Sequence, residues 1–401
     1  MERLIATAFE PAKLGPLTLR NHVIKSATFE GRTPRRQVTE ELIAFHRRFA
    51  AGGVGMSTVA YCAVSPDGGT DGRQIVLGDD VIPGLRKLTD AIHAEGAAAA
   101  AQLGHAGPVA NPAGNRRTAI APSRVLAPIA MKRTQAATED DIARVTADFA
   151  AGAKVAVEGG FDALEIHLGH NYLLSAFLSP KLNKRRDAWG GSLENRARFP
   201  RNVVRAVRES AGRGVAVTAK LNMSDGVRGG LEIDESIEVA KMLEADGNLD
   251  AIELTGGSSL SNPMYLFRGE APIEEMAATM PRLMRAGFKL TAWKFMRHYP
   301  FREAFFLPDA RRFLEALRMP LILLGGINRL DTIEGALDEG FAFVAMGRAL
   351  LREPDLINKM RAGTSHTATC IHCNKCMPSI YTGTRCVLDE PLPLRKDLSR
   401  N

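Results

Sequence analysis

Aromatic residues make up only 6% of this chain of 401, tryptophan occurs twice, and cysteine five times. With so few aromatics and no basic tract among them, nucleic-acid binding is not expected, although the formal charge is +7. That charge suits anionic ligands such as phosphorylated cofactors. No stretch approaches the ~18 consecutive apolar residues of a membrane-spanning helix. The opening MERLIATAFEPAKLGPLTLRNHV mixes acids, prolines and basic residues where a secretory signal needs an unbroken apolar core. A soluble, cytoplasmic protein with no membrane partner is therefore expected. Low-complexity linkers and internal repeats are also lacking, so nothing divides the barrel-forming part of the chain in two.

Short apolar runs recur instead, each followed by a longer amphipathic stretch. They lie at 22–27, 54–64, 97–103, 162–168, 215–221, 250–254, 320–326 and 341–347. Helical periodicity fills most of the gaps, as at 140–160, 195–212 and 234–247. Eight strands each followed by a helix predict an α/β fold, a (β/α)₈ TIM barrel, and near-continuous apolar strands fit a parallel sheet buried on both faces. The leading FEPAKLGPLTLRN reads as a hairpin closing the barrel floor. Long insertions follow the third strand (104–139) and the sixth (255–308), at the ends where barrel enzymes build their sites.

The chemistry gathers at those strand ends. In DALEIHL the alternation puts Ala163, Glu165 and His167 on one face, with Gly169, His170 and Tyr172 following. Two neutral imidazoles can both donate to one oxygen and polarise a bound carbonyl, and a nearby phenol can deliver a proton. The same Glu165, His167 and His170 could instead ligate a divalent ion in a metal-dependent barrel hydrolase or aldolase. Gly325, Gly326, Gly347 and Arg348 follow the seventh and eighth strands, where barrels commonly bind phosphate. Gln102 and Lys220 end the third and fifth strands, a carboxamide and a cation aimed at the mouth. Met264, Tyr265, Phe267 and Arg268 are candidates to line the pocket from the second insertion.

Taken together, EIHLGHNYLLSAFLSPKLNKRRDAWGGSLENRARF, LGPLTLRNHVIKSA, VAYCAVSPDG, AAQLGHAG, LLGGI and VAMGRALLREPDL resemble the old yellow enzyme family of NADH:flavin oxidoreductases over roughly residues 8–360. The resemblance implies an FMN across the barrel mouth and reduction by NAD(P)H. It implies hydride transfer to the activated C=C bond of a small α,β-unsaturated substrate, which makes the metal-dependent hydrolase the alternative. His167 and His170 would hold the activating oxygen, and Tyr172 would donate the proton. Gln102 would meet the pyrimidine edge, Ala27, Thr28 and Ala60 would lie along the flavin, and Gly325, Gly326, Gly347 and Arg348 would take the phosphate. Lys220 stands where the family usually has arginine, keeping the charge and losing the fork.

Four cysteines lie in CIHCNKCMPSIYTGTRC, with the spacing C-x2-C-x2-C-x9-C. In a cytosolic setting such clustering points to a metal or redox site before disulfides. It resembles the iron-sulfur segment of the 2,4-dienoyl-CoA reductase and trimethylamine dehydrogenase subgroup, which implies a [4Fe–4S] centre on Cys370, Cys373, Cys376 and Cys386. That subgroup has a longer gap before the third and fourth cysteines than this chain, and zinc or free thiols stay open. The expected division is a barrel over 1–360 and a Cys-rich tail over 361–401 packed on it. With no dinucleotide-binding module after the tail, an external redox protein would be the electron source for a cluster; a homo-oligomer is also compatible.

Overall fold

Residues 163–168, ALEIHL, are buried at every position, which is what a strand covered on one face by helices and on the other by a barrel interior requires. The computed structural model describes residues 8–391 apart from 71, 112–114, 116–117 and 128–131. Eight parallel strands close into a barrel. They are β1 (Val23–Lys25), β2 (Met56–Ala63), β3 (Ala98–Gly104), β4 (Ala163–Leu168), β5 (Ala216–Asn222), β6 (Ala251–Thr255), β7 (Leu321–Leu324) and β8 (Phe343–Met346). Every run expected from the sequence is a barrel strand, within about two residues at each end.

A principal helix follows each strand. These are α1 (Glu40–Ala51), α2 (Ile82–His93), α3 (Glu139–Glu158), α4 (Leu193–Ala211), α5 (Ile233–Asp246), α6 (Leu307–Ala316), α7 (Leu330–Asp338) and α8 (Arg348–Arg352). Local chemistry starts them: Thr138 caps α3 in a reciprocal box with Asp141, and the Ser192 side chain accepts from the Asn195 amide at the head of α4. Their apolar faces join the outer sides of the strands in one large core.

Inside the barrel a second, smaller core forms at the floor. The predicted hairpin is present, Ala12–Leu14 pairing antiparallel with Leu17–Leu19. Its Leu14 and Leu19 pack against Met56, Ala100, Ala163 and Phe343. Since alternate residues of a strand face the same way, those floor residues fix what stands above them. Above Ala163 come Glu165 and His167, above Ala216 come Thr218, Lys220 and Asn222, and above Ala251 come Glu253 and Thr255. The register sets Glu165 beside Gln102, and Lys220 between His167 and Glu253. A small-residue floor thus leads to a charged middle layer and a polar mouth.

The insertion after β3 carries two small two-stranded pairs. The insertion after β6 carries three short helices, Met264–Phe267, Ile273–Thr279 and Arg282–Thr291. The tail returns to the barrel: the Thr384 amide donates to the Glu30 carbonyl at 2.8 Å, and Thr367 bridges to Arg329. Its last ten residues lie outside the described ones. Among the described residues no helix is long and apolar enough to cross a membrane.

Candidate active site

Four rings run in contact across the mouth. Tyr61 meets Tyr172 at 5.4 Å between centroids, Tyr172 meets His167 at 4.5 Å, and His167 meets His170 at 5.0 Å, all edge to face. The chain brings His170 there by turning sharply after β4: His170 and Asn171 both take φ of 59°, a left-handed conformation uncommon outside glycine. The Asn222 side chain accepts the His170 amide at 3.0 Å and holds that turn, and the His170 Nε2 sits 3.0 Å from the Thr255 hydroxyl. His167 Nδ1 is buried without a protein partner.

Burial, reinforced by charge in the layer below, keeps both imidazoles neutral. Burial, then His170 and Lys220, hold His167 well below its ordinary value, and burial with Lys220 lowers His170 to about 3. Burial raises the Tyr172 phenol, which therefore keeps its proton. The Tyr61 hydroxyl is already committed, donating to the Gly68 carbonyl at 2.6 Å.

Beside the rings lies a cavity with about 680 Å³ of empty space, counting the part open to solvent. Its walls include Ala27, Thr28, His170, Lys220 and Arg348. Gly325 and Gly326 line it with φ of +115° and +76°. A Cβ on Gly325 would stand 2.5 Å from Phe306, and one on Gly326 would stand 2.6 Å from Phe305. Gly347, also in the wall, has only Thr28 Cγ2 within reach at 3.7 Å, so there the missing side chain leaves room for a ligand. Arg348 is held in place, donating to the Arg268 carbonyl at 2.9 Å and to Asn374 Oδ1. This is a site that fits the phosphate end of a flavin mononucleotide.

Of the other expected residues, Lys220 and Phe267 also line this cavity, and the rest lie around it. Ala60 and Tyr172 belong to one apolar cluster with Ala27. Gln102 Nε2 donates to Glu165 Oε1 at 2.6 Å. Lys220 reaches the cavity wall but is tied from below by Glu165 at 3.0 Å and Glu253 at 2.8 Å. With Glu165 so engaged, it is not free to join His167 and His170 around a metal. Met264 is buried, and Arg268 lies over the rings of Tyr265, Tyr299, Phe305 and Phe306, with Phe267 reaching the cavity.

Sequence reasoning passed over Glu253, Ser26, Tyr61 and Thr255. The signal for Glu253 and Thr255 was there, since AIELT alternates Ala251, Glu253 and Thr255 on the inner face as ALEIHL does. Nothing in the sequence announces Tyr61, whose role follows from a contact across the barrel.

The four tail cysteines line one small cavity together, with Arg348 in its wall. Among the described residues no group of three or more His, Cys, Asp or Glu side chains is placed to hold a metal ion. His372 within the segment stacks on Phe301 at 3.4 Å and reaches the larger cavity.

A parallel barrel with a glycine-walled, arginine-flanked cavity and neutral imidazoles at its strand ends defines an enzyme of the phosphorylated-cofactor class. The chain belongs to the NADH:flavin oxidoreductase / NADH oxidase family, whose model matches residues 7–256, and it is an FMN-dependent NAD(P)H oxidoreductase. It is 60% identical over 388 residues to the 4,4'-dithiodibutanoate disulfide reductase of Rhodococcus erythropolis, covering 97% of this chain and 96% of that protein. It is 34% identical over 381 residues to the metal reductase of Desulforamulus reducens, covering 93% of this chain and 52% of that one. The chain thus spans nearly all of the first and about half of the second. The old yellow enzyme homologue from Zymomonas mobilis has the same fold, with a TM-score of 0.72 at 21% identity over 92% of this chain and 96% of that one.

Proposed function

We propose that the chain reduces a small organic acceptor gripped at the barrel mouth by His167 and His170, with Tyr172 as its proton donor. FMN, when bound in the cavity walled by Gly325, Gly326, Gly347 and Arg348, supplies the hydride, having received it from NAD(P)H. Ala27 and Thr28 would lie along it, and Lys220 in the same wall would supply positive charge. Held neutral, the two imidazoles donate to an acceptor's oxygen without adding a fixed positive charge, and so stabilise the negative charge that develops there in the transition state. Tyr172, edge to face with His167 and protonated, completes the addition. The observation that carries this reading is the contact of His167 with both Tyr172 and His170, the last of which lines the phosphate-type cavity. The acceptor this geometry fits best is a C=C bond conjugated to a carbonyl.

A second acceptor is favoured by the relative at 60% identity, named for reducing a disulfide. In that case hydride and one proton convert R–S–S–R to two R–SH, the S–S bond breaks, and Tyr172 protonates the departing thiolate. Anaerobic reoxidation of the NAD(P)H-reduced enzyme by enones and by 4,4'-dithiodibutanoate, side by side, separates the two. Turnover of neither would sink the assignment of a small organic acceptor.

The tail carries a further part of the proposal. Cys370, Cys373, Cys376 and Cys386 would hold a [4Fe–4S] centre as thiolates and supply a one-electron relay. The tail over 361–401, of which 392–401 lie outside the described residues, would then be a separate functional unit beside the barrel of 1–360, and an external redox protein is its natural electron source. Iron and acid-labile sulfide in anaerobically purified protein test this directly.

A further inference from the structure

The hydride chemistry leaves one buried group unused. Glu165 on β4 and Glu253 on β6 stand on either side of Lys220 on β5, and all three side chains are at most 4% exposed. Each carboxyl is ion-paired with the same lysine nitrogen, at 3.0 Å and 2.8 Å, which brings the two carboxyls together. A carboxylate only accepts, so two carboxyls brought together can hydrogen-bond to each other only when one of the pair carries a proton. Glu165 accepts further from Gln102 at 2.6 Å, and Glu253 from the Ser26 hydroxyl at 3.0 Å. Two bare carboxylates against one ammonium would bury a net negative charge, which the interior strongly disfavours. One shared proton makes the group neutral.

We infer that Glu165 and Glu253 share a single proton and, through Lys220 and Ser26, set the charge that the chain presents to the flavin ring. This rests on the cofactor placement given above. Lys220 and Ser26 both line the cavity, and their polar atoms lie 3.4 Å apart, so the group reaches the cavity floor through them. Reduced flavin is anionic near its N1 and C2 oxygen, and a deprotonated pair would oppose that charge. The pair therefore holds its proton more firmly under reduced than under oxidised cofactor, and over a window of pH it takes one up from solvent on reduction.

Electrostatics agree with the geometry. Burial and then Glu253 raise Glu165; burial alone would raise Glu253, but Lys220 and its hydrogen bonds bring it down; burial alone would lower Lys220, and the two carboxyls more than offset it. From the neighbouring elements, Lys25 on β1 faces both Lys220 and Glu165 and is itself faced by Glu30 and Arg48; His167 and His170 face Lys220 from above. Lys25 is the rival titrating group, since burial lowers it to about 8.

Two measurements on the FMN-loaded enzyme decide the matter. The infrared spectrum should contain the carbonyl stretch of a buried, protonated carboxylic acid at neutral pH, lost in Glu165→Gln and in Glu253→Gln. The flavin midpoint potential, followed from about pH 5 to pH 10, should show a segment of extra pH dependence that both variants lose and Lys25→Met keeps. A wild-type spectrum without the band, or variants that retain the extra segment, overturns the shared proton. Loss of the segment in Lys25→Met alone assigns it to that lysine and overturns the proposal equally. A protein that takes up no FMN refutes the cofactor placement instead, and the infrared band, which needs no flavin, still decides the sharing.

Discussion

Tyr172→Phe removes one oxygen from the centre of the site and little else. The ring keeps its edge-to-face contacts with His167 at 4.5 Å and Tyr61 at 5.4 Å, so packing is preserved and the stability change should stay near 1 kcal/mol, the net value of about one hydrogen bond. What disappears is the proton donor. Tyr61, the adjoining phenol, donates to Gly68 at 2.6 Å and cannot take over without breaking that bond, and both histidines are held neutral. General acid catalysis contributes roughly 10²–10⁴-fold, so the acceptor half-reaction should slow by that factor, or about 2.7–5.4 kcal/mol of barrier at about 1.36 kcal/mol per decade. Reduction of the flavin by NAD(P)H needs no such proton and should change by less than about threefold. Stopped-flow absorbance resolves the two half-reactions separately. Equal losses in both, or no loss in the acceptor half-reaction, would refute the role given to Tyr172.

Gly326→Ala forces a Cβ to within 2.6 Å of Phe305 at φ +76°; left-handed strain of about 1–2 kcal/mol and overpacking of about 1–3 kcal/mol should lower the melting temperature and weaken FMN binding, both read by thermal denaturation with and without added FMN. Arg348→Met should loosen FMN, measured by fluorescence titration, and should also disturb the tail, because Arg348 lines both cavities and binds Asn374; unchanged affinity would remove it from the phosphate site. Cys370→Ser should abolish bound iron and leave the flavin spectrum in place, and iron content unaffected by the change would dismiss that cysteine as a ligand. Stability should fall as pH drops from about 7 toward 5. His46, His167 and His170 are all lowered by burial in the folded state, so below the ordinary value of about 6.5 the unfolded chain takes up protons that the native one refuses, at up to about 1.4 kcal/mol per pH unit for each. Glu165, raised in the folded state, works in the opposite sense, three groups against one. Denaturant titrations across that range should show the slope, and His167→Asn should flatten it.

The barrel was legible in the sequence because burial on both faces leaves an unmistakable mark: eight short apolar runs, each trailed by an amphipathic helix, with boundaries off by a residue or two. The inward parity of Glu165 and His167 was equally plain, since period-two alternation is a property of the strand itself. What tertiary structure alone decided was which inward residues meet. Sequence placed Lys220 at the mouth as a lone cation, whereas the register puts it between two glutamates. Gln102 was expected at a flavin edge, and in the structure its amide serves Glu165. The tail cysteines pointed by their clustering to a metal or redox site, but only folding shows that they line a cavity whose wall includes Arg348. Strand periodicity is local and survives in one dimension; the partners of a buried charge are set by strands dozens of residues apart, and only closure of the barrel brings them within hydrogen-bonding distance.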